Sequence, residues 1–138
     1  MPLGRTTDTP RRDAKTFIAK AEEFLRAAER AAAAEEHDAA LLASIHAAMT
    51  ANDAVCATLL GRRSSDPDHQ RAADLLESAD ERVPEIIQRA RQLRSLLKKK
   101  NLVQYEARRA TAGESTDALE RAQRFLAWSR DVVERGGL

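Results

Sequence analysis

Apolar residues recur every three to four positions through most of the chain, the spacing of one face of an α-helix. From Asp13, a candidate N-cap, the positions Phe17, Ala21, Phe24, Leu25, Ala28 and Ala32 predict a first helix to about Ala34. Glu35, Glu36 and His37 make a polar break, and Asp38 is placed to cap a second helix. The face of that helix, Leu42, Ile45, Met49, Asn52, Cys56 and Leu59, ends at Gly61, a residue suited to the left-handed position after a helix. In the loop RRSSDPD, Ser65 or Asp66 before Pro67 signals the start of a short third helix through His69, Ala72 and Leu76 to about Ser78. Pro84 suits the first turn of a fourth helix, predicted to run as far as Arg108. Thr111 and Glu114 have the spacing of a capping box. The last helix carries Leu119, Ala122, Leu126 and Val133 and is expected to fray at Gly136 and Gly137.

Short connections between long helices make neighbours antiparallel, so the pattern predicts an all-α, up-and-down bundle of four to five helices. The bundle is expected over residues 13–135, with 1–12 as a flexible tail and 136–138 as a frayed end. No strand pattern and no internal repeat competes with it. Scarce Gly, Pro and aromatics, with 43% hydrophobic and 33% charged residues, fit one soluble helical domain rather than a disordered chain. A single Cys excludes an internal disulfide and suits a reducing cytoplasm. No uninterrupted apolar run reaches the ~20 residues of a membrane span, and no membrane partner is expected.

Charge changes the picture locally. Residues 89–109 hold eight Lys/Arg and one Glu, a balance of +7; the whole chain is +1, so the remainder sums to −6. Such asymmetry points to an anionic partner, most simply phosphate. The ordinary alternative is a solvated helix whose cations pair elsewhere, for example with Glu22, Glu23, Glu29, Glu35 and Glu36 on the first helix. The apolar stripe Ile86, Ala90, Leu93, Leu97 continues onto Asn101, Tyr105 and Arg108, turning polar where the KKK run begins. Either the helix outruns the core there, or those residues line a polar pocket at the bundle end or a subunit seam. Lys98, Lys99, Lys100, Arg94 and Arg108 are the candidate phosphate ligands. With 4% aromatics and only Tyr105 in the basic stretch, base-specific reading is not supported.

Other polar residues could supply acid–base chemistry. His46 and Asp53 lie seven apart on one face of the second helix, and His69 sits in the first turn of the third. They form a set only if the fold gathers them; otherwise His46 is a packing residue and His69 a capping one. No HExxH or CxxC spacing is present, so neither a metal nor another cofactor is expected. His37 invites no functional reading, and Cys56 on an apolar face reads as inert core.

The hexad Lys100-Asn101-Leu102-Val103-Gln104-Tyr105 resembles the signature of the HEPN superfamily, an Arg followed after four to six residues by His, often with Asn directly after the Arg. The segments SIHAAMTANDAV at 44–55, LLGRRSSDPDH at 59–69 and KNLVQYEARRAT at 100–111 extend the resemblance to a small bacterial HEPN subgroup over about residues 13–135. The resemblance implies a helical bundle that pairs as a homodimer, with the signature motifs meeting across a two-fold seam. It also implies metal-independent RNA cleavage, in which the Arg steadies phosphate, the His moves a proton and the substrate 2′-OH attacks the adjacent phosphorus.

This chain departs from the signature at both ends. Lys100 supplies charge without the planar fork of Arg. Tyr105, with an ordinary pKa of about 10, is a poor general base near neutrality. The expectation is therefore an RNA- or nucleotide-phosphate-binding protein of a toxin–antitoxin, stress or defence setting, with a degenerate ribonuclease site. Lys100 and Arg108 would hold phosphate, Asn101 would orient it, and Tyr105 would hydrogen-bond or stack. Two alternatives stand beside it. One is an active endoribonuclease in which Tyr105 or His46 replaces the missing His. The other is a non-catalytic adaptor that binds a protein such as a nucleotidyltransferase antitoxin.

Overall fold

The second helix, α2 (His37–Leu60), has thirteen of its 24 residues buried, and the rest of the chain is arranged to cover them. A computed structural model describes residues 3–138. It shows α1 (Ala14–Ala33), α3 (Gln70–Glu77), α4 (Pro84–Lys98), α5 (Lys100–Tyr105) and α6 (Ala112–Arg135), with two short strands, β1 (Thr6–Asp8) and β2 (Arg62–Ser64). Alanines on α2 face alanines on α1 (Ala14, Ala21, Ala28) and α6 (Ala118, Ala122), and small side chains let helix axes approach closely. Larger side chains, Leu41, Ile45, Val55, Leu75, Leu76, Ile86, Leu93 and Leu126, fill the space between these seams.

The all-α bundle expected from periodicity is the observed architecture. On α4 the stripe Ile86, Ala90, Leu93 and Leu97 is buried as its spacing requires. The Thr111–Glu114 capping box is formed in both directions, at 3.1 and 2.8 Å. Gly61 takes the left-handed conformation, φ 69°, that lets α2 end.

Several expectations are corrected. The inward stripe of α6 runs through Ala118, Ala122, Phe125, Leu126 and Val132, one residue round from the expected one, and leaves Leu119 and Val133 half-buried. Asp38 does not cap α2; its carboxylate accepts from Ala110 N–H at 2.8 Å and Arg109 Nε at 3.0 Å, tying down the loop before α6. The fourth helix stops well short of Arg108. It tightens at Lys99 into i→i−3 hydrogen bonds (Lys99 to Leu96, Leu102 to Lys99), resumes as α5 and ends at Tyr105. The end of α6 is closed rather than frayed: Gly136, φ 72°, and Gly137 donate to the Val133 and Val132 carbonyls. By length and composition α2 could cross a membrane, but 61% of that stretch is buried inside the bundle, as in a core helix.

The segment expected to be a flexible tail contains a strand. Thr6, Thr7 and Asp8 pair antiparallel with Ser64, Arg63 and Arg62. Arg11 then donates to the Thr58 carbonyl at 3.0 and 3.2 Å. Upstream, Arg5 N–H donates to Asp66 Oδ2 at 2.9 Å, while Asp66 Oδ1 accepts from Asp68 N–H at 2.9 Å. The N-terminal segment therefore holds the loop that carries His69. Gly4 sits at φ 77°, where a Cβ would lie 2.7 Å from Asp66 Oδ2 and 2.9 Å from Arg71 Cγ. Gly4→Val should cost about 1–2 kcal/mol from the left-handed backbone alone. It should also speed amide hydrogen exchange in residues 64–70, a change that mass spectrometry reads directly.

Candidate functional site

A cleft of about 540 Å³ opens between the loop entering α3 and the α4–α5 junction. Pro67, Asp68, His69 and Gln70 form one wall; Leu97, Lys98, Lys100, Asn101, Gln104 and Tyr105 form the other. On α5 the alternation that builds this wall is plain. Leu102 is buried, and Val103 packs half-buried against the core, so Asn101, Gln104 and Tyr105 are left on the outer face at i, i+3 and i+4. Tyr105 is 78% exposed at the rim.

The facing wall is held by polar clamps. Asn52, buried on α2, donates to the Ala72 carbonyl at 3.1 Å and accepts from Cys56 Sγ at 3.8 Å. Gln70 Nε2 donates to the Arg94 carbonyl at 3.3 Å. Arg94 closes the α3–α4 contact from the side, pairing with Asp74 at 2.9 Å and Glu77 at 3.2 Å. Asp68 accepts from Gln70 N–H at 3.1 Å, fixing the turn that presents His69.

At the centre, Lys100 Nζ lies 2.9 Å from His69 Nε2. A lysine ammonium can only donate, so Nε2 accepts and the imidazole is neutral with its proton on Nδ1. Burial and the Lys100 charge hold the His69 pKa below the ordinary histidine value, against the opposing pull of Asp68. His46 on α2 is half-buried, its ring 5.7 Å from that of Phe24. Its pKa is lowered by burial, then by Lys100 and His69, which places it electrostatically beside the same pair. The fold thus brings His69, from the loop before α3, into contact with Lys100 of α5, with His46 of α2 within electrostatic range of both.

Asp53 does not join them. It lies partly buried two turns along α2, with Arg63 of β2 as its charged neighbour, and burial pushes its carboxyl up to about 7. Cys56 is buried and its thiol pKa is raised by burial and by Asp53, so it is unreactive. Among the described residues no three His, Cys, Asp or Glu side chains converge as a metal-binding group.

The predicted cations divide. Lys98 and Lys100 line the cleft. Lys99 turns away to Asp117 of α6 at 3.4 Å. Arg108, beyond the end of α5, is gripped by both Glu114 carboxylate oxygens at 2.9 Å and by Glu106 at 3.5 Å. The neutralising carboxylates come from α2, α3, α4 and α6 and the loop after α5, not from the Glu residues of α1 considered as partners above. Sequence reasoning missed Asn52, Gln70 and Gln104. Asn52 alone carried a signal, as a polar residue on an apolar face.

The HEPN domain family model matches residues 14–132, and the chain belongs to that family. Membership points to an RNA-related or nucleotide-binding function. No curated protein matches the chain, and no solved structure matches it.

Two outcomes follow from the titrating groups. In an NMR titration of the imidazole nitrogens, Lys100→Met should raise the His69 pKa, because a charge and a hydrogen bond that favour the neutral ring are both lost. Asp53 stays protonated in the fold up to about 7 but ionises near 3.8 when unfolded, so stability falls as pH rises between those values and is flat above them. Asp53→Asn should therefore melt several degrees above the parent at about pH 8 and level with it near pH 3.5.

Proposed function

We propose that this HEPN domain binds the phosphate of an RNA or nucleotide in the α3–α5 cleft, in a toxin–antitoxin, stress or defence setting, with its ribonuclease site weakened or lost. The observation that carries the reading is the placement of Lys98 and Lys100 on one wall. Among the described residues neither is paired with a carboxylate, while Asn101, Gln104 and Tyr105 project beside them. Lys100 holds the phosphate, Lys98 adds charge, Asn101 orients an oxygen, and Tyr105 offers a ring for one base at the rim. Lys99, Arg94 and Arg108 serve in this reading as struts for the walls. Two copies pair as a homodimer with their clefts adjoining, and sedimentation measures that association.

The Lys100–His69 bond favours a second reading, a metal-independent endoribonuclease. A neutral imidazole beside a phosphate-binding ammonium is the state a general base requires, and His69 would stand in for the His missing at Tyr105. Cleavage of single-stranded RNA that survives EDTA and disappears in His69→Ala would establish it.

For the leading reading, fluorescence anisotropy with a short single-stranded RNA is the test. Lys98→Glu with Lys100→Glu should weaken binding about a hundredfold or more, since hydrogen bonds to charged groups are worth roughly 1.5–3 kcal/mol each. Lys99→Gln should bind like the parent. Unchanged binding after the double charge reversal would remove the cleft from consideration.

A further inference from the structure

The charge left over after folding is far smaller than the basic segment suggests. Of the eight Lys/Arg in 89–109, Arg94, Lys99, Arg108 and Arg109 are held in ion pairs of 2.9 to 3.4 Å, and Arg89 lies 4.0 Å from Glu85 and stacks over Trp128. Arg91 sits two turns before Lys98 on α4, roughly 10 Å away along the axis, and does not line the cleft. An extended RNA strand needs a row of cations and several stacking rings. This surface has two lysines at one point and one exposed tyrosine. A cleft of about 540 Å³ falls within the range that holds a small molecule, roughly 300–1,000 Å³.

We propose that the cleft takes a phosphomonoester, the terminal phosphate of a nucleotide or of an RNA end, and that His69 takes up one proton as it binds. The inference rests on the phosphate-binding reading above. The charged and titratable groups around His69 are Lys100 at the start of α5, Lys98 across the cleft on α4, Tyr105 at the rim, His46 on α2, and Asp68 in its own loop, itself paired with Arg71 of α3. A terminal phosphate carries close to two negative charges at neutral pH. When Lys100 turns its ammonium to that phosphate, Nε2 of His69 loses its donor and faces anionic oxygen. It becomes a donor by accepting a proton from solvent, with no covalent bond made or broken in the ligand. Asp68 is already paired with Arg71 at 3.8 Å, so the two lysines face the dianion and the imidazolium donates to its third terminal oxygen. An internal phosphodiester, with two free oxygens and one charge, is met by the two lysines while the imidazole stays neutral, so the site distinguishes the two by proton uptake.

Isothermal titration of the full chain at about pH 7.5, in two buffers of different ionisation enthalpy, tests this. The probes are one RNA tetranucleotide in 5′-phosphorylated, 3′-phosphorylated and unphosphorylated forms. At least one phosphorylated form should bind about tenfold tighter or better than the unphosphorylated one, with close to one proton taken up. In His69→Gln, where the amide can still accept from Lys100, the uptake should vanish and the preference shrink. Equal binding of all three probes would overturn the monoester proposal and leave phosphate binding standing as diester recognition. Phosphate preference without uptake, or uptake that persists in His69→Gln, would overturn the role of His69. No binding of any probe would overturn both this inference and the reading it rests on.

Discussion

A 24-residue helix with thirteen buried positions cannot stand on its own in water, and α2 sets the terms for the rest of the chain. Six of those thirteen are alanine, which buries little area per residue but permits close helix approach. α1 and α6 therefore lie along it with their own alanines inward, while the bulkier Leu and Ile side chains of α3 and α4 cover what remains. Three buried hydroxyls are paired along their own helices: Ser44 and Ser129 donate to the carbonyls four residues back, at 2.8 and 2.7 Å, as does Thr58, whereas Ser115 Oγ has no partner among the described residues. Asn52 is the exception that reaches another element. By holding Ala72 it sets where α3 meets α2, and so where the cleft wall begins.

That dependence links core packing to site chemistry. The α3 wall is fixed from behind by Asn52, from the side by Arg94 and Gln70, and from below by the N-terminal strand through Asp66. Only then does the Asp68 turn bring His69 within 2.9 Å of Lys100. The geometry has an electrostatic consequence at the other partner: the half-buried imidazole gives the Lys100 side chain a neutral acceptor in place of a carboxylate. The cleft retains electrostatic attraction that a carboxylate partner would have cancelled.

The basic segment shows how composition and folded charge diverge. A local balance of +7 is an additive property of the sequence. In the fold it is distributed by position: Arg94 and Lys99 meet Asp74 and Glu77 of α3 and Asp117 of α6, while Arg108 and Arg109 in the loop after α5 find Glu114 and Asp38. What remains at the cleft is two lysines, because α4 and α5 present Lys98 and Lys100 there and turn Lys99 toward α6. Exposed pairs such as Arg109–Asp38 add little stability individually, but they decide which cations are open to a ligand.

How much was legible follows from the range of the forces involved. Helix existence, the buried stripe of α4, the Gly61 stop and the Thr111–Glu114 cap are local properties, set by side chains three or four residues apart, and the sequence carried them. So did the family, through a motif spanning six residues and the helices around it. The direction of α6 was legible only to within one residue, since its apolar positions spread around more than one face. The placement of Asn101, Tyr105, Lys98 and Lys100 around one pocket was half legible: their helical spacing was plain, but the tightening at Lys99 that separates α5 from α4 was not. Of the opposing wall only His69 was named as a candidate, and not with Lys100 as its partner. His69, Asp68 and Gln70 stand some thirty residues before α5, and nothing in their spacing announces that contact. The β1–β2 pairing and the Asp66 anchor likewise join residues about sixty apart. The sequence by itself determined which segments are helical and which residue types carry charge near the motif. Only the tertiary structure decided which charges cancel and which histidine meets the lysine, because ion pairing and burial depend on neighbours that the chain brings together only when α2 is covered.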